Sequence, residues 1–298
     1  MNVLNINKCP LCGGSQFEPE ITCKDYYATG ESFKICRCKA CGFQFTQSAP
    51  VESEIGRYYE SPDYISHSNT HKGLMNRVYH YVRRYMLSRK AHLIKHTSRL
   101  NSGRLLDIGT GTGYFCHFMQ KKGWNVSAVE KSAQARAFAA THFKLNIEPP
   151  EALESYDKAS FDVITLWHVM EHLEHLNETW ERLNQLLNEH GVLVVAVPNP
   201  SSFDAVQYKE MWAAYDVPRH LWHFTPSTIQ QFGAKHGFIL TERIPMPFDA
   251  FYVSMLSEKY KKSRFPFIKG LITGTRAGLA SLIKKEQSSS MIYVFRKK

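Results

Sequence analysis

Between Arg104 and Pro198 short apolar runs alternate with amphipathic segments, and this alternation constrains the fold more than any other feature of the chain. "RLLDIG" reads as a strand, and "YFCHFMQKKG" as a helix ending at Gly123. "NVSAVE" is the next strand and "KSAQARAFAATHF" the next helix. "FDVITLW" and "GVLVVAVP" are further strands, separated by the helical pattern "HLNETWERLNQLLNEHG". Strands that are apolar nearly throughout must be covered on both faces, which calls for helices on either side of a parallel sheet. The prediction is an open α/β fold whose ligands bind beyond the carboxyl ends of the strands. A chain of 298 residues can bury one such core and still carry a small second unit.

The first of these strands runs into "DIGTGTG", which holds Asp107, Gly109, Gly111 and Gly113. Closely spaced glycines let a backbone approach a ligand and expose N–H groups near a helix start. Glu130 closes the second strand, where a carboxylate can accept hydrogen bonds from both ribose hydroxyls. A dinucleotide site wants G-x-G-x-x-G, and counting from Gly111 puts Cys116 at the last glycine position. Counting from Asp107 instead gives D-x-G-x-G-x-G.

That second pattern resembles the cofactor loop of the class I S-adenosylmethionine-dependent methyltransferases. "SFDVITLWHVMEHL" is similar to the fourth strand and loop of the ubiquinone-biosynthesis-like branch, and "PRHLWHFTPSTIQQFGAKHGF" to a later stretch of it. "SSMIYVFRKK" fits the last, antiparallel strand. The resemblance covers about two thirds of the chain. It implies a Rossmann-like, seven-stranded, mostly parallel sheet that binds S-adenosyl-L-methionine. Asp107, Gly109, Thr110, Gly111, Gly113 and Tyr114 would line the cofactor loop, Glu130 would take the ribose, and Trp167 and His168 would complete the site. "LNIEPPEALESYD" departs from the family pattern, so no adenine-contacting residue is assigned.

Methyl transfer is an in-line displacement, and most of its catalysis comes from alignment. An O–H acceptor also needs a proton acceptor. His168 and Glu171 follow the fourth strand, and "WAAYDVPRHLWHFTP" supplies Tyr215, Asp216, Arg219, His220 and His223. His168, Glu171 and His220 are the catalytic candidates, with His220 as base and Arg219 available either to an anionic acceptor or to Asp216. His223, Trp212 and Trp222 read as packing residues. His168, Glu171 and His172 also spell H-x-x-E-H, a zinc-protease signature that needs both imidazoles on one continuous helix. Since "FDVITLW" delivers His168 at the end of a strand, that reading is rejected.

Six of the seven cysteines precede residue 42. "CPLCG" and "CKACG" place Cys9, Cys12, Cys38 and Cys41 as the four thiolates of a small zinc ribbon with structural Zn²⁺. Cys36 is a substitute ligand by position, while Cys23 and Cys116 read as plain buried thiols.

The net charge of +10 comes from two segments, Lys72–Arg99 and Lys259–Lys285, each with eight Lys or Arg and no acid. The rest holds 21 basic against 27 acidic residues. Such asymmetry points to an anionic partner or to two solvated helix faces. The expected division is a ribbon at 1–50, a basic helical linker or cap at 51–100, a methyltransferase core at 101–245, and a lid-like insert with the last strand at 246–298. Within the insert, a lid over the acceptor is preferred to a peripheral membrane helix, because Gly270, Gly274 and Gly278 weaken a long helix. No apolar run is long enough to cross a bilayer, and no leader is visible, so a cytoplasmic protein is expected. The expected activity is methylation of a small-molecule acceptor, possibly anionic. RNA methylation through the ribbon and basic helix stays open, as does a non-catalytic zinc-ribbon binding module, although no N-P-P-Y-type motif follows the fourth strand.

Overall fold

The computed structural model describes residues 2–59 and 74–298, with side chains from 81 onward in the second stretch. Lys72, where the first basic segment starts, lies outside them. Two short strands, β1 (Val3–Leu4) and β5 (Ala49–Pro50), pair antiparallel and tie the N-terminus to the end of the ribbon. Between them β2 (Phe17–Lys24), β3 (Ser32–Cys38) and β4 (Gln44–Gln47) form an antiparallel meander.

The second sheet follows the predicted strands closely. β6 (Arg104–Ile108), β7 (Asn125–Val129), β8 (Phe161–Trp167) and β9 (Leu187–Pro198) are parallel. β11 (Phe238–Pro245) and β12 (Ser290–Lys297) complete it, with β12 antiparallel to both its neighbours. The order is β11-β12-β9-β8-β6-β7. Six strands are therefore paired where seven were expected. The seventh is reduced to one parallel bridge, Val129↔Glu148, because Pro149 and Pro150 follow at once and offer no N–H to extend a ladder.

The helices are α1 (Leu74–Ser98), α2 (Tyr114–Lys121), α3 (Ala133–Phe143), α4 (Leu176–Leu186), α5 (Phe203–Tyr208), α6 (Pro226–Lys235), α7 (Asp249–Tyr260) and α8 (Pro266–Ile283). Helix α4 stops a turn before the expected Gly191. Leu187 pairs instead with Phe161, and Asn188 donates to Asp162 Oδ1 at 2.5 Å, so strand pairing overrides local helix preference. Helix α1 is no free basic arm, since Leu87, Ala91 and Ile94 pack with Leu105 and Phe115.

The ribbon and the α/β layer share one core. Strand β10 (Trp222–His223), drawn from the loop before α6, pairs with β4 and makes the ribbon a four-stranded sheet. Phe43 and Phe45 lie in the same cluster as Trp222, Phe224 and Phe232. Trp212, Trp222 and His223 are buried, as their reading as packing residues requires, and His223 Nε2 meets Thr46 Oγ1 of β4 at 3.0 Å.

Candidate active site

The glycine loop sits at the carboxyl end of β6. Gly109 N–H donates to Val129 O at 2.8 Å, and Gly109 has φ +69°. A Cβ there would stand 2.4 Å from Val169 Cγ2, so only glycine lets this loop pass against the segment after β8. Glu130 closes β7 beside the loop: its Oε2 accepts from Gly111 N–H at 2.7 Å and its Oε1 from Ser132 N–H at 2.9 Å. Asp107 lies beneath the loop, accepting from Thr165 Oγ1 at 2.5 Å. Burial pushes its carboxyl above the usual range despite that bond. Thr110 Oγ1 meets Cys116 Sγ at 2.9 Å, and Tyr114 packs edge-on against Phe143 with the Arg83 guanidinium 4.0 Å over its ring.

His168 follows β8 with φ +58°, a left-handed conformation that is uncommon outside glycine and persists when the surroundings hold it. Its Nδ1 stands 3.4 Å from Glu171 Oε1 and its Nε2 3.2 Å from Asp249 Oδ2. Burial alone would lower its pKa, but hydrogen bonds and charge from Asp249 and Glu171 push it up to about 10, so the ring is an imidazolium at neutral pH. Glu171 is buried, and the His168 ring faces its carboxylate at 3.4 Å. Burial would raise its pKa, yet His168, His172 and His220 together hold it below the usual value.

His220 is oriented from behind, with Nδ1 donating to Ala214 O at 2.9 Å. Its Nε2 is left 3.9 Å from Asp216 Oδ2, and its ring meets His172 edge-on at 4.5 Å. Burial, then the neighbouring His172, push its pKa down to about 4, so it is a neutral imidazole with a free lone pair. Glu171, His172 and His220 bring possible ligand atoms within 4.8 Å of one another. The H-x-x-E-H helix itself does not form, because Met170–His172 is a single 3-10 turn and His168 lies before it.

Arg219 is fully engaged. It holds Asp216 through Nε and Nη2 at 2.9 and 2.6 Å, Asp25 at 3.1 Å, and the Tyr58 carbonyl at 2.5 Å. Of its two sequence readings, pairing with Asp216 is the one realised, and the guanidinium also locks the ribbon's Asp25 to the loop before β10. Asp25 in turn accepts from Tyr27 N–H, Ala28 N–H and Thr29 N–H.

Trp167 turns toward α1, edge-on to Phe115 at 5.7 Å, with the Lys90 ammonium 4.1 Å over its ring. Burial pulls Lys90 down to about 8, against the charges of Asp107 and Asp249. Lys90 and Trp167 line a cavity of about 400 Å³ together with Tyr85, Met246 and Phe248. Lys90 and Asp249 were missed from the sequence, since one sat in a charge run and the other in the insert.

In the ribbon, Cys9, Cys12, Cys38 and Cys41 bring four sulfurs within 4.8 Å. Cys9 lies 3.5 Å from Cys41, and Cys12 lies 3.6 Å from Cys38. Bonds of about 2.3 Å to a tetrahedral ion imply sulfur–sulfur edges of roughly 3.8 Å, so the four fit Zn²⁺. Burial pushes Cys9 up to about 11, so neutral-pH ionisation needs a cation beside it. Cys36 is buried outside the group.

The model of a family described as a methyltransferase domain matches residues 79–243. A ubiquinone biosynthesis O-methyltransferase of Rhodopseudomonas palustris is 27% identical over 184 residues, covering 57% of this chain and 69% of that protein. One from Pelagibacter ubique is 30% identical over 107 residues, covering 34% of this chain and 44% of its own length. A solved S-adenosylmethionine-dependent methyltransferase from Archaeoglobus fulgidus shares the fold, with TM-score 0.50 and 18% identity over 72% of this chain and 94% of that one. The family match spans β6 to β11, including the glycine loop, Glu130 and the cluster after β8, so this chain belongs to the methyltransferase-domain family and is an S-adenosylmethionine-dependent methyltransferase.

Proposed function

We propose that the protein methylates a small, anionic, partly apolar acceptor bound at the carboxyl end of β8. The observation that carries this reading is the meeting of three features there: the glycine loop pressed on Val169, the Glu171–His172–His220 cluster with His168 against Glu171, and the cavity beside Trp167. Gly109, Gly111 and Gly113 give the cofactor's methionyl part close approach to backbone, with Thr110 and Tyr114 flanking, while Glu130 exchanges its N–H partners for ribose hydroxyls. Asp107 shapes the loop from below. S-adenosyl-L-methionine supplies an electrophilic methyl group on a sulfonium.

The acceptor's apolar part takes the cavity, and Arg89 and Lys90 on its wall favour an anionic group. His168, held charged with its two ring N–H groups turned to Glu171 and Asp249, fixes those carboxylates beside the site and does not take the acceptor's proton. His220 Nε2 takes the proton, with Asp216 and Glu171 stabilising the imidazolium that forms. Zn²⁺ on Cys9, Cys12, Cys38 and Cys41 fixes the ribbon and takes no part in transfer.

The test is incorporation of labelled methyl from the cofactor into separated polar-metabolite, lipid and RNA fractions. Label is expected in a small-molecule fraction, and label confined to RNA would replace this reading with the nucleic-acid one. On the responding acceptor, His220→Ala is expected to lower kcat by about 100-fold while cofactor affinity stays within a factor of about three. Unchanged turnover would remove His220 as the base.

A further inference from the structure

The C-terminal insert packs as a helical hairpin whose outer helix is left exposed on one face by the described residues. Gly270 and Gly274 of α8 face α7 so closely that a Cβ would meet Met255 Cα at 2.5 Å and Phe251 Cα at 2.8 Å. These glycines are the seam of the hairpin, so the sequence-based argument that they weaken α8 fails: they let two helices approach, and close packing offsets their cost. Ala277 and Ser281 continue the same buried stripe.

The opposite face of α8 is apolar and exposed. Ile268, Leu271, Ile272 and Leu279 are 48 to 57% exposed, Phe267 is 65%, and Leu282 is 80%. At 3.6 residues per turn these positions fall in one continuous arc, with Lys269 and Arg276 along its border. A helix of 18 residues gives that arc a length of about 27 Å. An exposed patch of this kind on a folded chain marks an interaction surface. Its charge says which: from Lys259 to Lys285 there are eight cations and no acid. No described helix is long and apolar enough to cross a membrane, so the arc fits the plane of a bilayer surface.

We infer that the outer face of α8 docks the protein on an anionic lipid bilayer, with the apolar arc in the headgroup boundary and the flanking lysines and arginines on lipid phosphates. Helix α7 lies between this face and the site, contributing Asp249 to His168, so docking sets the bilayer one helix layer from the proposed acceptor site. The surface itself does not depend on which acceptor is methylated.

The experiment is flotation of the full chain with vesicles of phosphatidylcholine alone or with about 30% phosphatidylglycerol. The protein is expected to float with the anionic vesicles, at least about tenfold more weakly with phosphatidylcholine alone, and less as salt rises. Ile272→Asp with Leu279→Asp is expected to abolish flotation while leaving the melting temperature and S-adenosylhomocysteine binding unchanged. Lys269→Glu with Arg276→Glu, which leaves the apolar arc intact, is expected to weaken it about tenfold. Failure of the wild type to float with anionic vesicles overturns the inference, as does undiminished flotation of the double aspartate variant. So does wild-type self-association that the aspartates abolish without any lipid binding, since a second copy would then be the occupant.

Discussion

Replacing Cys9 and Cys38 by serine is expected to remove one bound Zn²⁺ per chain and, with it, on the order of 10 kcal/mol of folding free energy from the ribbon. The loss does not stay local. Phe43 and Phe45 reach the core through the ribbon, and β4 carries β10, so an unfolded ribbon strips a hydrogen-bonded edge and two buried aromatics from the α/β layer. Without the ion, the four clustered sulfurs have no shared centre to hold the two knuckles together. Metal analysis of the purified chain is expected to give one zinc in the wild type and none in the double variant, whose cooperative melting transition is broadened or lost. A wild type free of zinc, or a double variant that retains both metal and transition, contradicts the assignment.

Arg219→Met carries the next largest effect, about 3–5 kcal/mol of destabilisation. The side chain is buried and bridges two carboxylates, Asp25 in the ribbon and Asp216 beside His220. Removing it leaves two charges without their partner in a region with little water, and that cost exceeds the value of the lost hydrogen bonds. Thermal unfolding is expected to shift down by roughly ten degrees. Because Asp25, after β2, and Asp216, in the loop before β10, bond the same guanidinium, Arg219→Met with Asp25→Asn is expected to lose less than the sum of the single changes. A shift of only a degree or two for Arg219→Met would mean that the clamp carries little of the contact between ribbon and core.

The strands and the position of the glycine loop were legible because each depends on local pattern. "FDVITLW" is apolar but for Asp162 and Thr165, and it is β8 to the residue. Asp107, Gly109 and Glu130 fall where a strand–loop–helix repeat must put them. The failures come from interactions between distant residues. Nothing near Trp222 announces that it pairs with Phe45, since "WH" is too short to read as a strand and its partner lies 177 residues away. Lys90 counted as one charge in a basic run, while its neighbours Trp167 and Asp249 lie far along the chain. Gly270 and Gly274 look like helix breakers until α7 is seen against them. The bland alternatives for His223, Trp212 and Trp222 succeeded because buried aromatic and imidazole groups more often pack than react.

The loop from Gly109 to Gly113, closed by Glu130, is expected to hold S-adenosyl-L-methionine. The direct measurement is calorimetric titration of the full chain with S-adenosylhomocysteine, which needs no acceptor. One site per chain is expected, weakened at least roughly tenfold in Glu130→Ala as charge-assisted hydrogen bonds to the ribose are lost. Absence of binding by the wild type at concentrations up to about 1 mM, or unchanged affinity in Glu130→Ala, would contradict it.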